Sequence, residues 1–502
     1  MGLKTAVARR WAALRVAQIR RVAAAPEAHQ RRLLAGLLRR AACTAFGRDH
    51  GFGELQGYEG YRAAVPVRDY EALRPYIDRV VGGEADVLWP GRPLYLAKTS
   101  GTTSGTKYIP LTAQSMPCQV RGARDALLCY LHQTGDAGFV GGKMLFLSGS
   151  PALETNPAGL RVGRLSGIAQ HYVPSYLQRS RVPTFATNCI EDWEAKVAAV
   201  VNETVRQDLR LLSGIPPWVR MFLEQVTRTT GKSPAEVWPN LRLFVQGGVD
   251  YRPYAPLITQ AMGRPLAVVE VYPASEGFVA VQDLRPHGPD DTPGLLLMLD
   301  YGIFYEFIPL SDYGQPTAQR LPLWEVEVGV PYAIVLSTNA GLWAYDLGDV
   351  VTFSSKAPYR LRVTGRVKHF LSAFGEHVIE SEVNAALLAA LAATGAELTE
   401  CTVAPHVAGA DSYHEWWVEF AREPADLMAF RQTLDRTLRA QNSYYEDLRA
   451  GEMLQLPRLR RLQPGATAAF MAQEGKLGGQ NKFPRLQNTR RVADALAPYA
   501  LD

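Results

Sequence analysis

Four stretches of the 502-residue chain combine residue types that suit chemistry on a phosphorylated substrate. The first is Thr99-Ser100-Gly101-Thr102-Thr103-Ser104-Gly105-Thr106-Lys107. Glycines bring backbone N–H groups close to a bound anion, hydroxyls add donors, and the lysine supplies a mobile positive charge. The stretch suits a polyphosphate, although its spacing is neither GxxxxGK[ST], since Tyr108 follows the lysine, nor GxGxxG. Gly, Ser and Thr runs also form plain surface loops. The second stretch, Tyr272-Pro273-Ala274-Ser275-Glu276, sets an aromatic able to stack on a flat base four residues before a carboxylate able to hold Mg²⁺. A core tyrosine and a solvated loop glutamate would read the same way. In the third, Leu342 to Asp349, an aspartate after a glycine turn can accept two hydrogen bonds from a ribose diol, or simply close a hairpin. The fourth set is cationic: Arg366 and Lys368 near a domain boundary, and Lys482 in the glycine-rich basic tail Lys476 to Arg485.

The elements that must position these residues follow from hydrophobic pattern. Apolar runs at Met144–Leu147, Leu209–Leu212, Leu241–Val245 and Leu266–Val271 each end in small or polar residues, with helices between them. This predicts parallel α/β sheets, whose ligands bind where loops leave the carboxyl ends of strands. Gly247, Gly248, Ser275 and Glu276 fall at such ends. A helix predicted over Gln114–His132 adds its dipole near the first loop. Asp69 is placed to cap a short helix after Pro66. Leu295–Pro309 and Tyr332–Phe353 alternate and contain turn signals, which predicts antiparallel hairpins or a small barrel. Beyond Gly365–Lys368 the order helix (Ser381–Ala393), strand (Cys401–Ala404), strand (Glu415–Ala421), helix (Leu427–Gln441) reads as a separate α+β domain. The expected class is α/β: a large domain over residues 1–366 with mostly parallel sheets and a small β-barrel-like part, and a small α+β domain over 367–502.

Composition excludes several classes. Hydrophobic residues make up 47% and charged residues 21%, as in ordinary globular proteins. The net charge of +5 is too small for this length to argue for nucleic acid. Five scattered cysteines (Cys43, Cys118, Cys129, Cys189, Cys401) without a CxxC pair predict reduced thiols, no structural zinc and a cytoplasmic setting. No apolar run approaches the ~20 residues of a membrane span. Near the arginine-rich start, Val7, Trp11, Leu14 and Val22 fall on one helical stripe, with Gln18 its polar exception; Leu33, Leu34, Leu37 and Leu38 form a second. An amphipathic helix pair packed on the body is expected, with docking on an acidic membrane surface as the other possibility.

The loop, YPASE, YDLGD and GRVKHFLSAFGEHVIE occur in the order seen in adenylate-forming enzymes: acyl-CoA synthetases, luciferases and nonribosomal adenylation domains. More closely, the chain resembles the Gretchen Hagen family of acyl acid amido synthetases. That likeness includes FGRDHGF, PVRDYEALRPYIDRVVGGE, KTSGTTSGTKYIPLT, YPASEGF, GLWAYDLGDVV and GGQNKFPR, and it extends over nearly the whole chain. The resemblance implies that Ser100, Gly101, Thr102, Thr103, Gly105 and Lys107 grip the triphosphate of ATP. It places Gly247 and Gly248 beside adenine, Tyr272 on the base, Ser275 and Glu276 near the α-phosphate and Mg²⁺, Asp349 on the ribose, and Arg366 on ribose or phosphate. Lys368 would be the hinge, and Lys482 the lysine that reaches the reacting oxygens. Two departures stand out: Asp346 replaces the family's usual arginine, and plant members carry the loop lysine slightly further along than Lys107.

What the resemblance implies is an ATP-dependent ligase that adenylates a small carboxylic acid and transfers the acyl group to an amino acid or amine, acting as a monomer. A thioester-forming acyl-CoA ligase and a non-catalytic nucleotide- or acyl-binding regulator are the alternatives. The N-terminal and tail matches favour the amide, and joint retention of Ser100, Lys107, Glu276, Asp349 and Lys482 argues against the regulator.

Overall fold

A computed structural model describes residues 3–100, 106–172, 178–248, 251–285, 293–315, 317–367, 370–371, 376, 378–408, 411–451, 453–477, 481–487 and 489–501. Gly101, Thr102, Thr103, Gly105 and Lys368 lie outside them, and of Ser100 only the backbone is described. The chain divides into two compact units, Met1–Gly248 with Pro265–Val363, and Val249–Arg264 with Thr364–Asp502.

The first unit opens with five helices: α1 (Leu3–Ala23), α2 (Pro26–Ala41), α3 (Ala45–Asp49), α4 (Gly57–Ala64) and α5 (Tyr70–Val81). The Asp69 side chain accepts from the Ala72 N–H at 3.1 Å and so starts α5, as its position predicts. The second stripe is buried as expected through Leu34, Leu37 and Leu38. The first is not: Val7, Trp11 and Leu14 face outward. α1 packs instead through Ala12, Val16 and Ile19 against α6 (Met116–Thr134). Its rotation is set by Arg15, which donates from Nε to Asp125 and from Nη2 to Asp300, both at 2.8 Å. Burying an arginine requires paired carboxylates, and these two lie 110 and 285 residues away.

Strands β1 (Tyr95–Ser100) and β2 (Thr106–Leu111) form an antiparallel hairpin with Thr99 opposite Lys107. They belong to a four-stranded sheet with β4 (Glu154–Thr155) and β5 (Arg161–Gly163). The main sheet has twelve strands. Its parallel half runs β6 (Arg181–Val182), β3 (Lys143–Phe146), β7 (Leu209–Ser213), β8 (Leu243–Gly247) and β9 (Ala267–Pro273). It continues through β10 (Phe278–Val281), β11 (Leu295–Leu297), β16 (Tyr359–Arg366), β15 (Tyr345–Lys356), β14 (Pro331–Thr338), β12 (Ile303–Pro309) and β13 (Leu321–Pro322). The alternating stretches are thus antiparallel and extend the same sheet.

In the second unit, β19 (Glu397–His406), β20 (Tyr413–Arg422) and β21 (Gln455–Arg461) form one sheet, and β17 (Phe370–Leu371) pairs with β18 (Val378–Ile379). Alternation along β20 gives the sheet two apolar faces. Trp416 joins the core with helices Glu380–Thr394 and Leu427–Gln441, and Trp417 joins the one with helices Ala466–Gln473 and Arg491–Leu496. These elements match the predicted order closely. That the segment Val249–Arg264 belongs to this unit was not foreseen.

Candidate active site

In the first unit, the second and third motif stretches and the hairpin below the first loop converge. β9 ends at Pro273 and returns as β10 through the turn Ala274–Gly277, closed by Gly277 N–H to Ala274 O at 3.2 Å and Ala274 N–H to Gly277 O at 3.1 Å. Ser275 and Glu276 form its tip, both half-buried. Gln119 of α6 steadies the turn by donating to Ala274 O at 2.9 Å. One strand over, β8 delivers Gly247 and Gly248. A Cβ on Gly247 would sit 2.3 Å from Val271 O, so only glycine allows β8 and β9 this close.

Asp349 is carried by an irregularity. β14 and β15 pair in register at Leu336–Tyr345 and Val335–Asp346, and again at Ala333–Val350, with a shift between them. Leu347, Gly348 and Asp349 therefore bulge from the ladder, and Gly348 takes φ +78°, a conformation that favours glycine. Asp346, the departure from the family pattern, shapes this bulge: it accepts from the Gly348 N–H at 2.8 Å and from the Tyr313 hydroxyl. The buried Asp349 accepts from the Tyr272 hydroxyl at 2.6 Å, joining two motifs 77 residues apart. Tyr272 itself is only 7% exposed, its ring packed in the core with Val279 and Leu297.

Tyr345, also buried, lies among the other groups. Burial raises its pKa first, and the carboxylates of Glu276, Asp346 and Asp69 raise it further through their negative charge. Tyr70 opens α5 and accepts from the Tyr108 N–H at 2.9 Å, and Lys107 Nζ stands 5.2 Å from its ring centroid. Chemistry-by-residue-type reasoning missed Tyr70 and Tyr345; their signal was position, one just inside the Asp69 cap and the other within YDLGD.

At the carboxyl end of β3, Lys196 is buried and donates from Nζ to Ser148 O at 3.0 Å and Asn188 O at 2.6 Å. Nearby Trp218 packs on Trp193 with ring centroids 4.9 Å apart. Burial lowers the Lys196 pKa to about 8. The unfolded chain, with an ordinary lysine, then binds more protons than the folded one between that value and ~10.5. Lys196 therefore adds stability as pH rises through this window. The melting-temperature difference between the native chain and Lys196→Met is expected to move in favour of the native chain from pH ~8 to ~10.5, and a pH-independent difference would contradict the burial effect.

In the second unit, Lys482 is exposed on a tail segment held on both sides. Asn481 donates to Lys476 O at 3.0 Å, and Phe483 meets Phe470 edge-on. Arg485, buried, pairs with Glu400 at 2.8 Å and donates to the Tyr254 hydroxyl at 3.1 Å. Tyr254 in turn donates to Glu400 at 2.9 Å. Arg366 is exposed at the end of β16.

Among solved structures, the chain is similar to the acyl acid amido synthetase AtGH3.15 in complex with 2,4-DB (TM-score 0.79, 18% identity, 97% of this chain and 96% of that one). It is also similar to a 2-hydroxyisobutyryl-CoA ligase in the postadenylation state (TM-score 0.61, 13% identity, 94% and 92%). The fold is that of the adenylate-forming ligases. Three descriptions match the sequence in order: GH3 family N-terminal domain over residues 15–180, central domain over 296–366 and C-terminal domain over 381–491. The chain belongs to the GH3 family. Relatives include an indole-3-acetic acid-amido synthetase of Oryza sativa subsp. indica, 25% identical over 75% of this chain and 73% of that protein. Another is a jasmonoyl–L-amino acid synthetase of Oryza sativa subsp. japonica, 24% identical over 64% and 67%. The chain is accordingly an acyl-adenylate-forming ligase of the acid-amido synthetase kind.

Proposed function

We propose that the chain activates a small carboxylic acid with ATP and Mg²⁺ and passes the acyl group to an amino acid or amine through the residues of the four motif stretches. The observation that carries this is the convergence of Lys107, Glu276 and the Tyr272–Asp349 pair within one unit. A carboxylate resists amines because it is anionic and lacks a leaving group. Its oxygen attacks the α-phosphorus of ATP, forming the mixed anhydride and expelling pyrophosphate. Backbone N–H groups of the Ser100–Gly105 loop, with the hydroxyls of Thr102 and Thr103, hold the β- and γ-phosphates, and Lys107 neutralises the departing charge. Asp349, aimed by Tyr272, accepts from the ribose hydroxyls, Gly247 and Gly248 line the adenine side with Tyr272, and Ser275 and Arg366 contact ribose or phosphate. Glu276, a half-buried carboxylate on a strand-end turn, is an oxygen donor suited to Mg²⁺ and would hold that ion, which would supply neutralisation of polyphosphate charge. The smaller domain, residues 367–502, turns about Lys368, bringing Lys482 in for adenylation and removing it before the amine attacks. Five unpaired cysteines support a reducing, cytoplasmic setting, and no helix among the described residues is long and apolar enough to cross a membrane.

Carboxylate-dependent exchange of labelled pyrophosphate into ATP, across aromatic and aliphatic acids, tests the reading, and product trapping with amino acids or coenzyme A separates amide from thioester formation. ATP binding without exchange for any acid would sink it. In the same assay Tyr272→Phe removes one hydrogen bond to the Asp349 carboxylate. KM for ATP is expected to rise about tenfold with kcat nearly unchanged; an unchanged KM would take Asp349 off the ribose.

A further inference from the structure

Helix α1 carries two apolar faces and buries only one. Ala12, Val16 and Ile19 are packed inside, while Val7, Trp11 and Leu14, a turn apart on the other side, remain 59%, 42% and 59% exposed. The helical repeat puts Arg10 and Arg21 on that outer face, interleaved with the apolar three. Arg124 of α6 lies over the Trp11 ring at 5.2 Å. Among the described residues Arg10, Arg20 and Arg21 make no ion pair with a carboxylate, and Arg32, Arg39 and Arg40 of α2 are likewise exposed. Residues 1–41 contain ten lysines and arginines and one acid, Glu27, a net +9 in a chain whose total is +5, so the remainder is net negative. Positive charge is thus gathered on the two helices beside an uncovered apolar stripe.

We propose that the outer face of α1 docks on an anionic phospholipid surface. The helix would lie in the plane of the interface, with Val7, Trp11 and Leu14 entering the headgroup boundary, Arg10 and Arg21 pairing with lipid phosphates, and the charge of Arg20 adding to the attraction from the side of the helix. Arginines beside a tryptophan-bearing apolar stripe are the composition of an interfacial helix, and the surrounding charge draws it to acidic lipid. A bare polyanion such as nucleic acid has no use for the three apolar side chains. A symmetric contact with a second copy would press two strongly cationic faces together.

The test is co-sedimentation of the full chain with phosphatidylcholine vesicles, with and without phosphatidylglycerol. Binding is expected to the mixed vesicles, at least ~10-fold weaker to the neutral ones, and weakened by salt. Val7→Ser/Trp11→Ser/Leu14→Ser and Arg10→Gln/Arg20→Gln/Arg21→Gln are each expected to lower it ~10-fold or more. Melting temperature and pyrophosphate exchange with a water-soluble acid should stay as in the parent, which separates loss of docking from loss of fold. The proposal falls if mixed vesicles do not bind the chain, or if both triple variants bind as the parent does. A dimer lost in the apolar variant would give the face to a second copy. Tighter capture by duplex DNA, insensitive to the apolar variant, would give it to nucleic acid.

Discussion

Lys482→Ala is expected to slow carboxylate-dependent pyrophosphate exchange by about 100- to 1,000-fold, the effect of removing one preorganised donor from developing oxyanion charge. Attack on the α-phosphorus spreads negative charge over oxygens that have no proton to shed. In the proposed mechanism, a compact ammonium supplied only for this step would stabilise the transition state more than the bound substrates. KM for ATP and for the acid should therefore change little, because Tyr272–Asp349, Lys107 and Glu276 remain in the first unit. Amide formation from supplied acyl-adenylate should fall less than about fivefold, since the lysine has no proton or charge to manage there. Equal losses in both half-reactions would show that Lys482 supports the fold or the acceptor site instead.

Replacing Arg485 by methionine is expected to cost the second unit about 3–5 kcal/mol, the loss typical of breaking one side of a buried ion pair. Arg485 is enclosed and its guanidinium meets Glu400, the Cys401 carbonyl and sulfur, and Tyr254. Burial already raises the Glu400 pKa, opposed chiefly by the Arg485 charge. Without that charge Glu400 stays protonated to higher pH, so the variant's deficit should shrink in acid and grow as pH rises. Urea unfolding of the full chain, followed through the transition of the second unit, checks the magnitude, and adding Glu400→Gln should recover part of it. The tail is also bound by backbone here: Val403 N–H donates to Arg485 O at 3.0 Å, and Gln487 N–H to Val403 O at 2.9 Å. Lys482 lies three residues before this attachment. Adenylation should consequently fall further than stability alone explains, with Arg485→Lys intermediate. A variant as stable as the parent would contradict the buried-pair argument.

Much of this molecule was legible from local pattern. The Asp69 cap, the helix at Met116–Thr134, the strand ends that present Gly247 and Glu276, and the order of the second unit all depend on contacts within a few residues. Strand ends and turns announce themselves through small residues, and strand alternation through side-chain polarity, because both are dictated by the backbone of the segment itself.

The rest needed the folded chain. α1 has two faces that periodicity alone cannot rank. The one with larger apolar side chains lost, because Arg15 had to reach Asp125 and Asp300, and Ala12 allows close packing. Nothing near Tyr272 reveals that its hydroxyl serves Asp349, nor near Asp346 that it shapes a bulge in place of a cationic contact. Val249–Arg264 reads as one more link between strands, yet Tyr254 belongs to the Glu400–Arg485 cluster. The sequence by itself determined which residues could do the chemistry and which elements would present them. The tertiary structure decided which residues orient them, because those partners lie many residues apart and are chosen by packing and the pairing of buried charge.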